Sequence, residues 1–414
     1  MTDGFTLRGG LVCDPQAGTL SPADVVVRDG RIAAVVDRTA PPGGDDRATG
    51  GGVVDVSGLI VTPGLVDLHT HVFVGQDLGV DPDVVGPPSG VTTMIDTGSA
   101  GGHLFGAFLR STVNVVGPRV RAFVNISSIG TTSILLSGEL TNLDYVDVRV
   151  CRDAVEAYPD QIVGVKIRAS HNVAAGNGTV ALDRARQVAD ETGLPLMVHL
   201  GPQPPSLPQI LDRLGPGDTL THCFTALSGY PLTEQGRAVD VVARAQQRGV
   251  VFDVGHGMSG FDPDQARAAV DAGFLPDTIS SDLHRYSRDI VVDLPHVMAK
   301  FLAMGVSLTE VVRRTTIVPA RVVGLDRQGV GTLRPGAPAD LAVLRVTGTD
   351  GPSLGGHPAG PATVPTVTAV LTVRQGRIVH PRSDAGAAHT AGPGTRTPHP
   401  PGHSTPRTEG HPTR

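Results

Sequence analysis

The sequence predicts an α/β protein, a (β/α)8 TIM barrel carrying a small β-sandwich domain formed from both chain ends. Three observations lead there. Eight short apolar, β-rich segments recur between residues 59 and 325, amphipathic stretches separate most of them, and the two ends share a hairpin pattern that the middle lacks. With 414 residues the chain has room for one large domain and a smaller one.

Residues 24–36 (DVVVRDGRIAAVV) and 366–380 (TVTAVLTVRQGRIVH) each alternate β-branched residues around a Gly-containing turn, the pattern of a β-hairpin. The near-repeat of VRDGRI at 27–32 and VRQGRI at 373–378 points to one small β-domain built from both ends. Residues 331–346 add a turn and a further strand. From Ser383 onward the chain is rich in Pro, Gly, Thr and His without large apolar residues, the composition of a disordered tail. The expected organisation is an N-terminal part of the β-sandwich at 1–58, the barrel at 59–325, the C-terminal part of the sandwich at 326–382 and a tail at 383–414.

Within the barrel, strands are expected at 59–68, 91–97, 120–127, 162–169, 195–201, 219–224, 250–256 and 277–283. Helices fit at 180–192, 236–248 and 262–272. Asp262 is placed to cap the last of these with Pro263 in its first turn, and Gly193 and Gly249 to end the other two. An open doubly wound sheet is the competing topology, which periodicity alone does not exclude.

The composition narrows the function. A net charge of -6 gives no basic footprint for nucleic acid or an anionic membrane, and no apolar run is long enough to span a bilayer. The start of the chain shows no pattern of a targeting segment. Cys13, Cys151 and Cys223 are few and scattered, which argues against a disulfide framework and for the cytoplasm. Of the 34 basic residues only Lys166 and Lys300 are lysines.

In a barrel of this kind functional residues collect at the C-terminal ends of the strands. There the sequence places Asp67-Leu68-His69-Thr70-His71, then Lys166, His199, His222, and Ser281-Asp282-Leu283-His284. Alternation along a strand points His69 and His71 to one side, so both imidazoles can reach one metal, and turns Cys223 away from His222. A lone His at a strand end is commonly a loop hydrogen-bonder; the joint pattern of a pair, two single histidines and an aspartate is what indicates metal ligation. An ammonium at Lys166 would be repelled by cations, so a lysine there is read as a carbamate formed with CO2, an anion able to bridge two metals. The competing reading is an ordinary lysine snorkelling at the barrel rim.

The segments GLIVTPGLVDLHTHVF, GVKIRAS, MVHLG, LTHCF, FDVGHGMSGF and SSDLHRYS resemble the amidohydrolase superfamily over residues 1 to about 380. FDVGHG and SSDLHRYS look like its deacetylase branch, similar to acetyl-(R)-mandelate deacetylase and often labelled dihydroorotase-like. The resemblance implies that His69, His71 and Asp282 bind one divalent metal and His199 and His222 a second, with carboxylated Lys166 and a hydroxide bridging them. Zinc suits such donors. It implies a hydrolase cleaving an ester or amide bond, an acetyl bond above all, of a small acylated carboxylic acid, with Asp282 as acid–base catalyst. A homo-oligomer is an expectation from the family only.

Arg168 shares a face with Lys166 and is placed either to grip a substrate carboxylate or to form a salt bridge in the barrel mouth. His256 and His284 are placed to bind substrate or steer Asp282, with His103 and His171 as weaker candidates; the histidines from His357 to His411 are given no role. A cyclic amide hydrolase, hydantoinase- or dihydroorotase-like, is the alternative. Against a dihydroorotase, the His-x-His pair is followed by Val72-Phe73-Val74, where a substrate-holding arginine would be expected. A metal-free scaffold relative would lack ligands, whereas all six positions are filled. A mononuclear nucleobase deaminase would lack the bridging lysine.

Overall fold

Near-continuous apolar runs cannot stay exposed on either face, and here they form the inner wall of a barrel. The computed structural model describes residues 4–39, 51–113, 117–226, 231–348 and 364–381. Among the described residues fifteen strands are defined. In chain order they are β1 (Phe5–Asp14), β2 (Thr19–Arg28), β3 (Arg31–Asp37), β4 (Gly52–Asp55), β5 (Ile60–Pro63), β6 (Leu65–Thr70), β7 (Val91–Gly101) and β8 (Arg119–Asn125). They continue as β9 (Ile162–Ile167), β10 (Leu196–His199), β11 (Thr219–Thr221), β12 (Val251–Asp253), β13 (Leu341–Thr347), β14 (Thr366–Arg374) and β15 (Arg377–His380).

Strands β6 to β12 pair in parallel in sequence order, each beside the next. The expected eighth strand at 277–283 is not a regular ladder. Its backbone nevertheless closes the barrel, accepting from Val254 and His256 at Thr278 and Ser280 on one side. On the other side Asp282 N–H donates to His69 and His71 N–H donates to Leu283. The irregularity has a local cause, since Asp282 sits at φ 49°, outside extended conformation.

The first segment, expected as one strand over 59–68, is also divided. β5 pairs with β1 and β13 in the outer sheet, and only after Gly64 does β6 enter the barrel. Pro63, lacking an N–H, is suited to this crossing.

Inside the barrel Val66, Leu68, Ile95, Phe123 and Met197 form a core layer closed from below by Ala320 and Val323. Outside it the helices bury one stripe each, as Gly178–Thr192 does with Ala181, Leu182, Ala185, Val188 and Ala189. The expected cap is present: Asp262 accepts from Gln265 N–H at 2.9 Å, and Gly193 ends its helix at φ 67°.

Strands β1 to β5 and β13 to β15 form a second, mixed sheet of eight strands. It encloses its own core of Leu7, Val25, Ile32, Val61, Leu341, Val343 and Val373, so both chain ends contribute to one β-sandwich unit. The expected tail at 383–414 lies outside the described residues, as do the late histidines apart from His380.

The two near-repeats become twin hairpins. Asp29-Gly30 and Gln375-Gly376 all have positive φ, as a type I′ turn demands. The turns also touch: a Cβ on Gly376 would lie 2.6 Å from Gly30 Cα. Gly376→Ala is therefore expected to cost at least about 1 kcal/mol for the left-handed conformation alone. Chemical denaturation measures it, and an unchanged midpoint would contradict this packing.

Candidate metal centre

Three local devices aim the side chains into the mouth of the barrel. In β6 a bulge puts Leu68 and His69 opposite the single residue Ile95, because Asp67 pairs with Met94 but Thr70 with Asp96. Leu68 thus stays in the core layer below while His69 and, two residues on, His71 face the axis. His222 at φ 72° and Asp282 at φ 49° use left-handed backbone to turn back toward the axis. Gly98, at φ 86°, leaves room for the Lys166 stem, whose Cγ would lie 2.8 Å from an added Cβ.

The result is a cavity of about 380 Å³ lined by His69, His71, Lys166, His199, His222 and Asp282, with Arg168 and His284 beside them. His69 Nε2 and His71 Nε2 lie 3.4 and 3.5 Å from Asp282 Oδ1, and His222 Nε2 lies 2.9 Å from His199 Nδ1. One donor atom each from His69, His222 and Asp282 falls within 4.8 Å of the others. The six sequence candidates for metal ligation are thereby brought together in one cavity.

The hydrogen bonds around His222 and His69 fix which nitrogen carries the lone pair. His222 Nδ1 meets the Gly255 carbonyl at 2.7 Å and can only donate to it, so Nε2 is bare. Thr221 Oγ1 donates to Asp253 at 2.7 Å, which leaves it as acceptor for His69 Nδ1 at 2.9 Å. Ser99 Oγ lies 2.7 Å from His71 Nδ1, and a hydroxyl can take either role there. The bare Nε2 of His69 and the Nε2 of His71 both face Asp282. Outer partners that orient ligating imidazoles in this manner are the usual surroundings of a metal.

The electrostatics agree. Burial, and after it the neighbouring Lys166 or His222, holds His69 and His199 well below the ordinary imidazole range; burial and then His69 do the same for His71. His222 is pushed down to about 4, first by burial and then by Lys166. All four rings are thus neutral and able to coordinate. Burial drives Asp282 upward and Lys166 downward. Lys166 Nζ is buried without a hydrogen-bond partner, a rare state for a buried amine. Neutral imidazoles and a carboxylate are donors that fit divalent cations, and the orphaned amine stands among them.

The remaining candidates divide. His284 lines the cavity, its Nδ1 accepting from Tyr286 N–H at 3.2 Å. Arg168 lines it too, but its Nε and Nη2 are held by Glu139 at 2.7 and 3.0 Å, so the salt bridge in the barrel mouth is present. His256 is a correction. It does not line the cavity; its ring stacks on Phe261, and Nε2 lies 2.6 Å from Lys300 Nζ. β12 ends at Asp253 and Gly255 sits at φ 49°, so the strand alternation expected to run to position 256 stops short of it. His103 and His171 are exposed and outside the cavity.

Sequence reasoning missed the supporting groups. Asp253 accepts from Thr221, Thr278 and Ser280; Asp96 accepts from the N–H groups of Val72 and Ser99; Asp67 accepts from Ser281. Each is a short polar residue within a barrel strand or its end, and that inward polarity was the usable signal.

Residues 87–379 match the amidohydrolase family. A deacetylase of Agrobacterium fabrum is 34% identical over 333 residues, covering 80% of each chain. Among solved structures, an adenine deaminase superposes with a TM-score of 0.78 at 30% identity, covering 91% of this chain and 99% of its own. A dihydroorotase superposes with a TM-score of 0.77 at 29% identity, covering 90% and 98%. Metal dependence is characteristic of such enzymes, and a TIM barrel with catalytic groups at its strand ends is their architecture. The chain belongs to the amidohydrolase family and is a hydrolytic enzyme.

Proposed function

We propose that this enzyme is a binuclear metal-dependent deacetylase acting on a small acylated carboxylic acid. The observation that carries the reading is the convergence of imidazole nitrogens on Asp282 beside the partnerless amine of Lys166. His69, His71 and Asp282 would hold one ion, His199 and His222 the other, with Lys166 as its carbamate between them; zinc suits these donors. When bound, the ions acidify water and polarise the scissile carbonyl.

The chain's own groups do the rest. Asp282, already raised by burial, takes a proton from the attacking water and returns it to the leaving alcohol or amine. His284 offers its Nε2 to the substrate. Arg168, pinned by Glu139, presents its remaining guanidinium edge to the substrate carboxylate. A cavity of about 380 Å³ suits a small molecule. The free, buried thiols Cys13, Cys151 and Cys223 suit the cytoplasm. Among the described residues no helix is long and apolar enough to cross a membrane.

The dihydroorotase likeness favours ring opening of a cyclic amide as a second reading. Against it, the residues after the histidine pair are apolar, with Val72 and Phe73 buried.

A panel of O-acetyl and N-acetyl carboxylic acids and cyclic amides, assayed with zinc and bicarbonate, separates the two. Acetate release is the expected result, and ring opening alone would replace this reading by the second. Asp282→Asn should retain zinc by elemental analysis yet lose about 10²–10⁴-fold in turnover; unchanged turnover would exclude Asp282 as the proton carrier.

Thr221→Val and Ser99→Ala should each weaken zinc retention against a chelator by about 10–100-fold, since each loosens one ring. Equal retention would mean that the tautomers are set otherwise. Metal-stripped enzyme reloaded with zinc should recover fully only when bicarbonate is supplied. Full recovery in CO2-free buffer would remove the carbamate from the scheme.

A further inference from the structure

The opposite end of the barrel holds a larger cavity, of about 850 Å³, where the twin hairpin turns meet the start of β8. Five arginines line it: Arg31, Arg119, Arg121, Arg374 and Arg377. The lining carries a single carboxylate, Asp29. Behind it the buried Asp340 pairs with Arg119 at 3.2 Å and Arg374 at 2.9 Å. Arg31 and Arg121 reach only backbone carbonyls, those of Gly336 and Val120, at 2.7 and 2.8 Å. Among the described residues neither these two nor Arg377 has an ion pair.

This arrangement works against the fold. Arg374 and Arg377 stand directly opposite each other in the β14–β15 hairpin, and Arg28 and Arg31 do so in the β2–β3 hairpin. Like charges in such positions are destabilising. Arg374 Nε is buried without a partner. Burial, offset for Arg119 by Asp340 and for Arg121 by Asp160, and then the charge of Arg374 lower the affinity of both guanidiniums for their protons. A chain of net charge -6 has thus gathered an excess of positive charge in one concavity.

We propose that this cavity binds a small molecule bearing more than one phosphate group. Guanidinium forks match phosphate oxygens bidentately, and several converging arginines call for several negative charges on the ligand. The volume of this open concavity falls in the range of small-molecule sites. The overall negative charge of the chain disfavours a long polyanion such as nucleic acid. The site lies at the N-terminal ends of the barrel strands, and none of its residues lines the cavity that holds Lys166 and Asp282. It does not rest on the deacetylase reading.

The test is calorimetric titration of the full-length, zinc-loaded enzyme with fructose 1,6-bisphosphate and with pyrophosphate, against sodium sulfate at equal ionic strength. Saturable binding of at least one phosphate probe is expected, at least tenfold tighter than sulfate. Arg121→Gln/Arg377→Gln should weaken it at least tenfold while leaving turnover unchanged and the melting temperature no lower, because neither side chain anchors Asp340 and Arg377 faces a like charge. Arg31→Gln is the second variant, should that pair fail to fold. Binding no tighter than sulfate overturns the proposal. So does binding that survives the variants and instead competes with substrate, which would put the anion at the metal centre.

Discussion

Asp253 lies beneath the floor of the site, fully buried, and accepts hydrogen bonds from Thr278 at 2.6 Å, Thr221 at 2.7 Å and Ser280 at 2.8 Å to each oxygen. Burying a carboxylate costs several kcal/mol even after relaxation. Bonds to a charged acceptor contribute roughly 1.5–3 kcal/mol each, so this cage offsets much of that cost, although burial still holds the carboxyl above its ordinary range. Its donors come from β11 and from the closing segment, which makes one carboxylate the tie between the sixth, seventh and eighth barrel positions. The same contact orients Thr221 and, through it, His69. Barrel closure and imidazole orientation are therefore one interaction.

The centre above that floor is less well compensated. Lys166 Nζ has no partner, and an unsatisfied buried donor costs about 1–3 kcal/mol. His222 and Asp282 occupy left-handed backbone, about 1–2 kcal/mol apiece. Hydrophobic packing around the barrel is large enough to absorb such sums, and nothing in the fold itself requires them. Strain on residues that converge on one cavity is what a site prepared for cations looks like. Ions that neutralise the convergence would return part of this cost as binding energy.

Much of this was legible in the sequence because strands obey a period of two. Parity separates His222 from Cys223 and keeps His69 and His71 together, and the near-repeat VRDGRI/VRQGRI marks the shared β-domain. Where the reading failed, the backbone departed from that period or the signal was tertiary. The bulge in β6 and the positive φ at Asp282 cannot be derived from alternation, so the eighth strand was expected to be more regular than it is. His256 was misplaced by extending the strand past Asp253, where β12 ends and Gly255 at φ 49° leaves extended conformation. Arg168 shows the other limit: its partner Glu139 lies 29 residues away on a loop without pattern, and only folding brings the two together.

The barrel also separates two electrostatic tasks by its polarity. At the C-terminal strand ends, neutral rings, a buried acid and a buried amine form a centre whose missing charge is positive. At the N-terminal strand ends the imbalance is reversed, with arginines exceeding carboxylates. Asp340 is the hinge of that second region, since it bonds Arg119, Arg374 and the Gln375 N–H at once and joins the hairpin to β8. One carboxylate suffices to hold the architecture, so the other arginines are not needed for it. Placing cations opposite one another across a hairpin costs stability, and a structural role explains Arg119 and Arg374 but not Arg31, Arg121 and Arg377. What those three have in common is the cavity they face.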